Sequence, residues 1–340
     1  MQKKIVCTLL DYKLRKYNLP QPVNVLRFFI FIPMIQSKTY KSTGKIFSYL
    51  KIVLLVLIYF ISFLVSRAQQ VNQTDSGLVS YSDSLIQIIQ KDPSDSNRIE
   101  ANKVFSGNLF NALQKPESFT QNFDSLKNVS VKKSNDDKLK IYTWTLAKSD
   151  ASNYSFHGFL QFKTMKGELK IYPLCDSTSY ILKPESERLK TDRWYGCIYY
   201  EIIPVKRSGK TYYTLLGWKA MNEKTSQKLI DVLYFDKDTP KFGYPLFKAE
   251  NVFRNRMIYS FMARLSMVLR YESRKKLIVL DHLSASTDPK SNFESGPDGT
   301  YDAFKFRSGR WTLMKDIDIR STWKPKKNVP KPFGEDNPEK

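Results

Sequence analysis

The sequence predicts an α+β fold that is mainly β: short N-terminal helices followed by a mostly antiparallel, multi-stranded sheet in a sandwich or barrel-like arrangement. Three observations predict it. Apolar residues recur at spacings of three and four up to Leu126, they alternate with polar residues from Leu139 onward, and Lys166-Gly167, Ser208-Gly209 and Ser308-Gly309 each separate two alternating runs as hairpin turns do.

The helical lead, residues 69–131, carries three stripes. Leu78, Leu85, Ile86 and Ile89 form the first. Ala101, Phe105, Leu109, Ala112 and Leu113 form the second, behind a Ser94-Asp95-Ser96 start signal, and Phe119, Phe123 and Leu126 follow Pro116, which suits a first helical turn. Stripes of this width face a core, so they are assigned to packing.

The β region, residues 139–320, begins after the polar stretch Lys132–Lys138. Strands are expected at Leu139–Ala147, Ser155–Thr164, Glu168–Leu174, Trp194–Val205, Thr211–Trp218, Lys228–Phe235, Arg256–Tyr271, Leu277–Leu283, Tyr301–Phe306 and Trp311–Met314. In Arg256–Tyr271 every odd position is apolar, while Arg256, Arg264 and Arg270 share the other phase. Strands commonly run about 5 to 6 residues, so this one must curve, bulge or pass between two sheets. Its arginine row is a candidate anion-binding face through charge-assisted hydrogen bonds, set against the blander reading of a solvated strand face. Thr322–Lys340 is rich in Lys and Pro and reads as an extended or disordered tail.

Upstream of the helices lies an export signal. Lys38, Lys41, Lys45 and Lys51 precede an unbroken apolar run from Ile52 to Val65, and Ser66-Arg67-Ala68 offers small residues before a cut after Ala68. The run is shorter than the about 20 residues a bilayer-spanning helix needs. Cleavage is therefore expected over an uncleaved anchor, and the address is periplasmic or outer-membrane-associated. Residues 1–33 precede this signal by more than its usual length, and a start at Met34 is expected, with 1–33 a gene-model artefact.

Charge and cysteine usage narrow the function classes. Of 55 basic and 33 acidic residues, 11 and 1 lie within Met1–Ala68, so nearly half of the +22 excess belongs to the export segment. The rest can attract an anionic lipid, an acidic glycan or an envelope protein. A nucleic-acid partner is disfavoured, because no recognition motif accompanies the charge. Cys175 and Cys197 are the cysteines left after the signal, and an oxidising compartment permits a bridge between them or two buried thiols.

Catalytic signals are sparse. No Gly-x-Ser-x-Gly elbow, phosphate loop or His-Glu-x-x-His motif occurs. His157 falls in the polar phase of its strand and reads as exposed. His282 ends an apolar strand beside Asp281, and since adjacent strand residues face opposite sides, its partner must come from a neighbouring element. Asp281, His282, Asp298 and Asp302 form the candidate site of a hydrolase, with Asp231 as a further carboxylate. Asp288, Asn292, Glu294 and Asp298 form an oxygen-rich stretch that would suit Ca²⁺, though its spacing fails the EF-hand pattern. Gly296-Pro297-Asp298-Gly299 reads as an ordinary tight turn.

The Ala-Gln-Gln signal end, the Pro116–Phe119 element, Leu216-Gly217-Trp218, Leu280-Asp281-His282-Leu283 and Gly296–Asp302 resemble a family of exported, uncharacterised proteins of Bacteroidota-type bacteria. The resemblance implies an address and a lineage and carries no activity. From the residues, a non-catalytic binding or structural module of the cell envelope is expected, with an extracytoplasmic hydrolase or a basic membrane-surface protein as alternatives.

Overall fold

The computed structural model describes residues 53–62, 82–123, 126–285 and 295–318. Leu78, the Ala68 cleavage region, residues 1–33, Asp288, Asn292, Glu294 and the tail 322–340 lie outside them. The described residues form two compact units, each with its own sheets. The first holds those before Ser134 together with Asp137–Tyr180 and Lys190–Ile198; the second holds Ser134–Asp136, Ile181–Leu189 and those from Tyr199 on. The division runs through the β region, which had been expected to form one domain.

In the first unit, helices α1 (53–62), α2 (82–91) and α3 (Asp95–Leu113) precede a four-stranded antiparallel sheet. Its strands β1 (Ser130–Lys133), β2 (Leu139–Ala147), β3 (Tyr154–Lys163) and β4 (Leu169–Cys175) lie in chain order. Ser94 caps α3 by accepting from Asn97 N–H, as its start signal requires. The third stripe makes a short 3-10 turn, Pro116–Phe119, in place of an α-helix. Phe119, Phe123 and Leu126 are nonetheless buried.

The stripes of α2 and α3 pack on one face of this sheet, with Phe105 edge-on to Trp144 at 5.1 Å and Phe110 against Phe159 at 5.7 Å. His157 shares that face and is half-buried, contrary to the expected exposure. It stacks on Trp144, and its Nε2 lies 3.3 Å from the Asn102 amide, whose Oδ1 accepts from Trp144 Nε1–H at 2.7 Å. Both phases of β3 are buried, so its polar phase marks hydrogen-bonded packing. Gln161 shows the same: it accepts from Tyr142 Oη and donates to the Leu113 carbonyl and to Ser118 Oγ.

The second unit contains two six-strand sheets. One has the order β5-β9-β8-β7-β6, with β5 (Leu189–Lys190), β6 (Ile198–Arg207), β7 (Lys210–Ala220), β8 (Thr225–Asp236) and β9 (Thr239–Phe242); β12 (Met257–Met262) also pairs with β8. The other has the order β11-β10-β16-β15-β14-β13, with β10 (Phe247–Ala249), β11 (Val252–Arg254), β13 (Leu269–Glu272), β14 (Leu277–Ala285), β15 (Ser295–Arg307) and β16 (Arg310–Met314). Leu216, Ile230 and Val232 from the first meet Phe247, Leu280, Phe304 and Trp311 from the second in one core. This is the sandwich form of the expected fold, mainly antiparallel, with β10 and β16 paired in parallel.

The long segment Arg256–Tyr271 passes between the two sheets. Its first half is β12, its second half is β13, and Ala263–Val268 makes the crossing. The crossing is anchored by a buried ion pair: Arg256 Nε lies 3.0 Å from Asp231 Oδ2, and both side chains are 0% exposed. Tyr199 Oη and Val232 N–H also donate to the Asp231 carboxylate, and Arg256 donates to the Pro184 carbonyl. Asp231 is thereby a structural anion and is not available to a catalytic pair.

Removing one partner of a buried pair strands the other charge in the core. Asp231→Leu should lower unfolding free energy by about 3–5 kcal/mol. The double change Asp231→Leu/Arg256→Met should cost clearly less than the sum of the single changes, which urea denaturation of the four proteins measures.

Candidate functional site

The expected turn at Gly296–Gly299 is a β-bulge inside β15. Asp281 pairs with Tyr301 and Leu283 with Pro297, so His282 faces Asp298, Gly299 and Thr300 together. Two local features hold the bulge open. Gly299 has φ +91°, which a Cβ would oppose, and Asp298 Oδ1 accepts from both the N–H and the Oγ of Thr300. Pro297 has a ladder partner on one side only, Leu283 of β14, because β16 pairs with β15 only from Ala303 on.

The bulge gathers three of the four expected residues. His282 Nδ1 is 3.0 Å from Asp302 Oδ2, and its Nε2 is 4.0 Å from Asp298 Oδ2. Asp302 is nearly buried, and its second oxygen accepts from Asp316 N–H at 3.0 Å. The hydrogen bond to Asp302, supported by the charge of Asp298, raises the imidazole above its ordinary value, while bonds from Thr300 lower Asp298. Asp281 stands apart, as strand alternation requires. It accepts from Val268 N–H at 2.8 Å and fastens β14 to the segment entering β13.

The arginine row does not form. Arg256 is in the core, Arg264 is exposed in the crossing, and Arg270 is exposed on β13, paired with Glu272 at 3.0 Å. The crossing between sheets breaks the alternation that would have aligned them. Arg270 and Glu272 line a cavity of about 300 Å³ with Lys275, Leu277, Met314 and Ile317, away from His282. Cys197 is fully buried, and the expected bridge between it and Cys175 is not seen among the described residues. Among the described residues no group of three or more potential ligands is placed to hold a metal ion, and the rest of the expected calcium stretch lies outside them.

A second cluster was not read from the sequence. Tyr212, Tyr234 and Tyr244 meet at one end of the sandwich core, with ring centroids 4.5–5.9 Å apart. Arg188 and Arg207 each place a guanidinium 5.6 Å from the Tyr244 ring centroid. Burial, then a hydrogen bond with Tyr244, pushes the Tyr212 hydroxyl up to about 12. Neither arginine is in an ion pair among the described residues. A visible signal existed in Tyr212 and Tyr234, which fall in the inward phases of their strands, but Arg188 comes from a connection with no periodicity.

No protein family, curated protein or solved structure matches the chain.

The raised imidazole has a direct consequence for stability. A histidine whose folded value lies above its unfolded value of about 6.5 contributes stability that is fully present below that value and is lost as pH rises through the folded value. Destabilisation by His282→Gln should therefore be largest near pH 5 and shrink toward about pH 9, as urea titrations at the two pH values measure.

Proposed function

We propose that this protein is an exported, non-catalytic β-rich module of the cell envelope that binds an anionic partner through the second unit. The observation that carries this reading is the pair of arginines over Tyr244. Two cations held against a packed aromatic cluster, with no carboxylate neutralising them among the described residues, present positive charge in a fixed place at little entropic cost. The export segment supports the address. Val53–Ile61 carry nine consecutive large apolar or aromatic side chains, each at least 52% exposed, as suits a segment destined for removal or for lipid. No described helix is long and apolar enough to cross a membrane.

A second reading, an extracytoplasmic hydrolase, is favoured by one observation: a carboxylate orients the His282 imidazole at Nδ1, as in catalytic dyads. Against it, Asp281, Asp298 and Asp302 each accept backbone N–H bonds that fix the strands, and Asp231 is committed to Arg256.

Immobilised polygalacturonate, an acidic glycan, tests the first reading. The protein should be retained at low salt, and Arg188→Gln/Arg207→Gln should elute at clearly lower salt with an unchanged circular dichroism spectrum. Absence of retention by the unaltered protein would count against the reading. The hydrolase reading requires that His282→Gln abolish a hydrolytic activity at temperatures where the variant stays folded.

A further inference from the structure

Two hairpins of the second unit repeat one short pattern. β6 and β7 are joined at Lys206-Arg207-Ser208-Gly209-Lys210, and β15 and β16 at Phe306-Arg307-Ser308-Gly309-Arg310. Both turns have left-handed backbone at both central residues, with φ +47° and +73° in the first and +48° and +74° in the second. That is what a two-residue type I′ turn requires, and it fixes the flanking basic residues as direct cross-strand neighbours, Arg307 opposite Arg310. Like charges placed directly opposite are destabilising, so the repeated choice of basic residues at these positions has no explanation in hairpin stability.

The two hairpins also touch. A Cβ added at Gly309 would sit 2.8 Å from Arg207 Cγ, so the second turn lies against the Arg207 stem. Arg207 and Arg188 share Tyr244, and Arg310 lies over the Phe253 ring at 4.7 Å. One end of the unit therefore collects Arg188, Lys206, Arg207, Lys210, Arg307 and Arg310. None of the six is in an ion pair among the described residues. Asp236, whose carboxylate also feels Lys210, is paired with Lys241 at 2.5 Å. Under Arg310, Phe253 on the edge strand β11 is 48% exposed; Val252, 53% exposed, faces the other side of that strand, two residues from Glu250, which pairs with Lys315.

We infer that this end of the second unit docks on a bilayer surface bearing anionic phosphate headgroups, with Phe253 entering the interface. The inference rests on the anion-binding reading above and commits it to one source. Cations alone fit any polyanion. An exposed aromatic ring among them fits a surface with apolar material directly beneath its charge. Fixed type I′ turns hold the arginines in place before contact, which limits the side-chain entropy lost on docking.

Flotation of the full chain with vesicles of phosphatidylcholine, and of phosphatidylcholine mixed in equal parts with phosphatidylglycerol, tests this. The apolar residues near Val53 can hold either bilayer, so the readout is the ratio of anionic to neutral partitioning. Each Lys or Arg close to an anionic surface contributes roughly fivefold, so Arg307→Gln/Arg310→Gln should lower the ratio by roughly 25-fold. Lys224→Gln/Arg264→Gln removes the same charge from the exposed turns at the opposite end of β8 and should leave the ratio unchanged. An equal fall in both variants would overturn the inference, since diffuse net charge would then suffice. So would an absence of anionic preference in the unaltered protein. If polygalacturonate still retains the protein in that case, the anion-binding reading stands and a soluble polyanion replaces the bilayer; loss of both fails both.

Discussion

The second unit depends on the buried pair of Asp231 and Arg256. Asp231 sits in the middle of β8, and Arg256 stands at the point where the chain enters β12 before crossing to the other sheet. Two fully buried charges are tolerated when each is hydrogen-bonded as well as paired. Asp231 receives Tyr199 and Val232, and Arg256 reaches the carbonyl of Pro184. The neighbouring Asn255 N–H donates to the Glu185 carbonyl and Arg254 pairs with Glu185, so three successive residues hold the connection Ile181–Leu189. Gly243 completes the fit: its φ is +85°, and a Cβ there would meet the Glu187 carbonyl at 2.7 Å and Arg256 Nη2 at 3.2 Å. One ion pair thus fixes β8, the start of β12 and the long connection that carries Arg188.

That constraint reaches the histidine cluster and the arginine end along the backbone. The crossing delivers Val268 to Asp281, whose carboxylate binds its N–H, and this sets β14 against β13. Beyond Asp281 the ladder is interrupted by the bulge that turns Asp298 and Asp302 toward His282. At the opposite end of the sandwich, the same connection places Arg188 over Tyr244 beside Arg207. The histidine cluster is tied into the strand ladder by backbone hydrogen bonds. The arginines lie over an aromatic ring and outside any ion pair among the described residues.

The helices and most strands were legible because their signals are local. The expected Leu139–Ala147 is β2, and the β3, β4, β7, β8 and β16 expectations differ from the observed ends by a few residues. The missed elements are short: β1, β5, β9, β10 and β11 span two to four residues each, too few for alternation to register. Lys166-Gly167 read as a two-residue turn, whereas Thr164–Glu168 forms a longer connection closed by Gly167 N–H to the Thr164 carbonyl. Of the site, His282 with Asp298 and Asp302 was nameable as a group, because a histidine ending an apolar strand needs a partner from the next one.

What the sequence by itself determined is the order of the longer helices and strands, the apolar run before them and the two Ser-Gly turns, since each follows from side-chain spacing or from backbone freedom within a few residues. Only the tertiary structure decided where charges ended. The alternating run from Arg256 to Tyr271 specifies strand conformation and says nothing about which sheet each half joins; joining two sheets buried Arg256 and dispersed its expected companions. The repeated Arg-Ser-Gly turns became one basic surface because distant strands brought them together, a long-range pairing that no local pattern encodes.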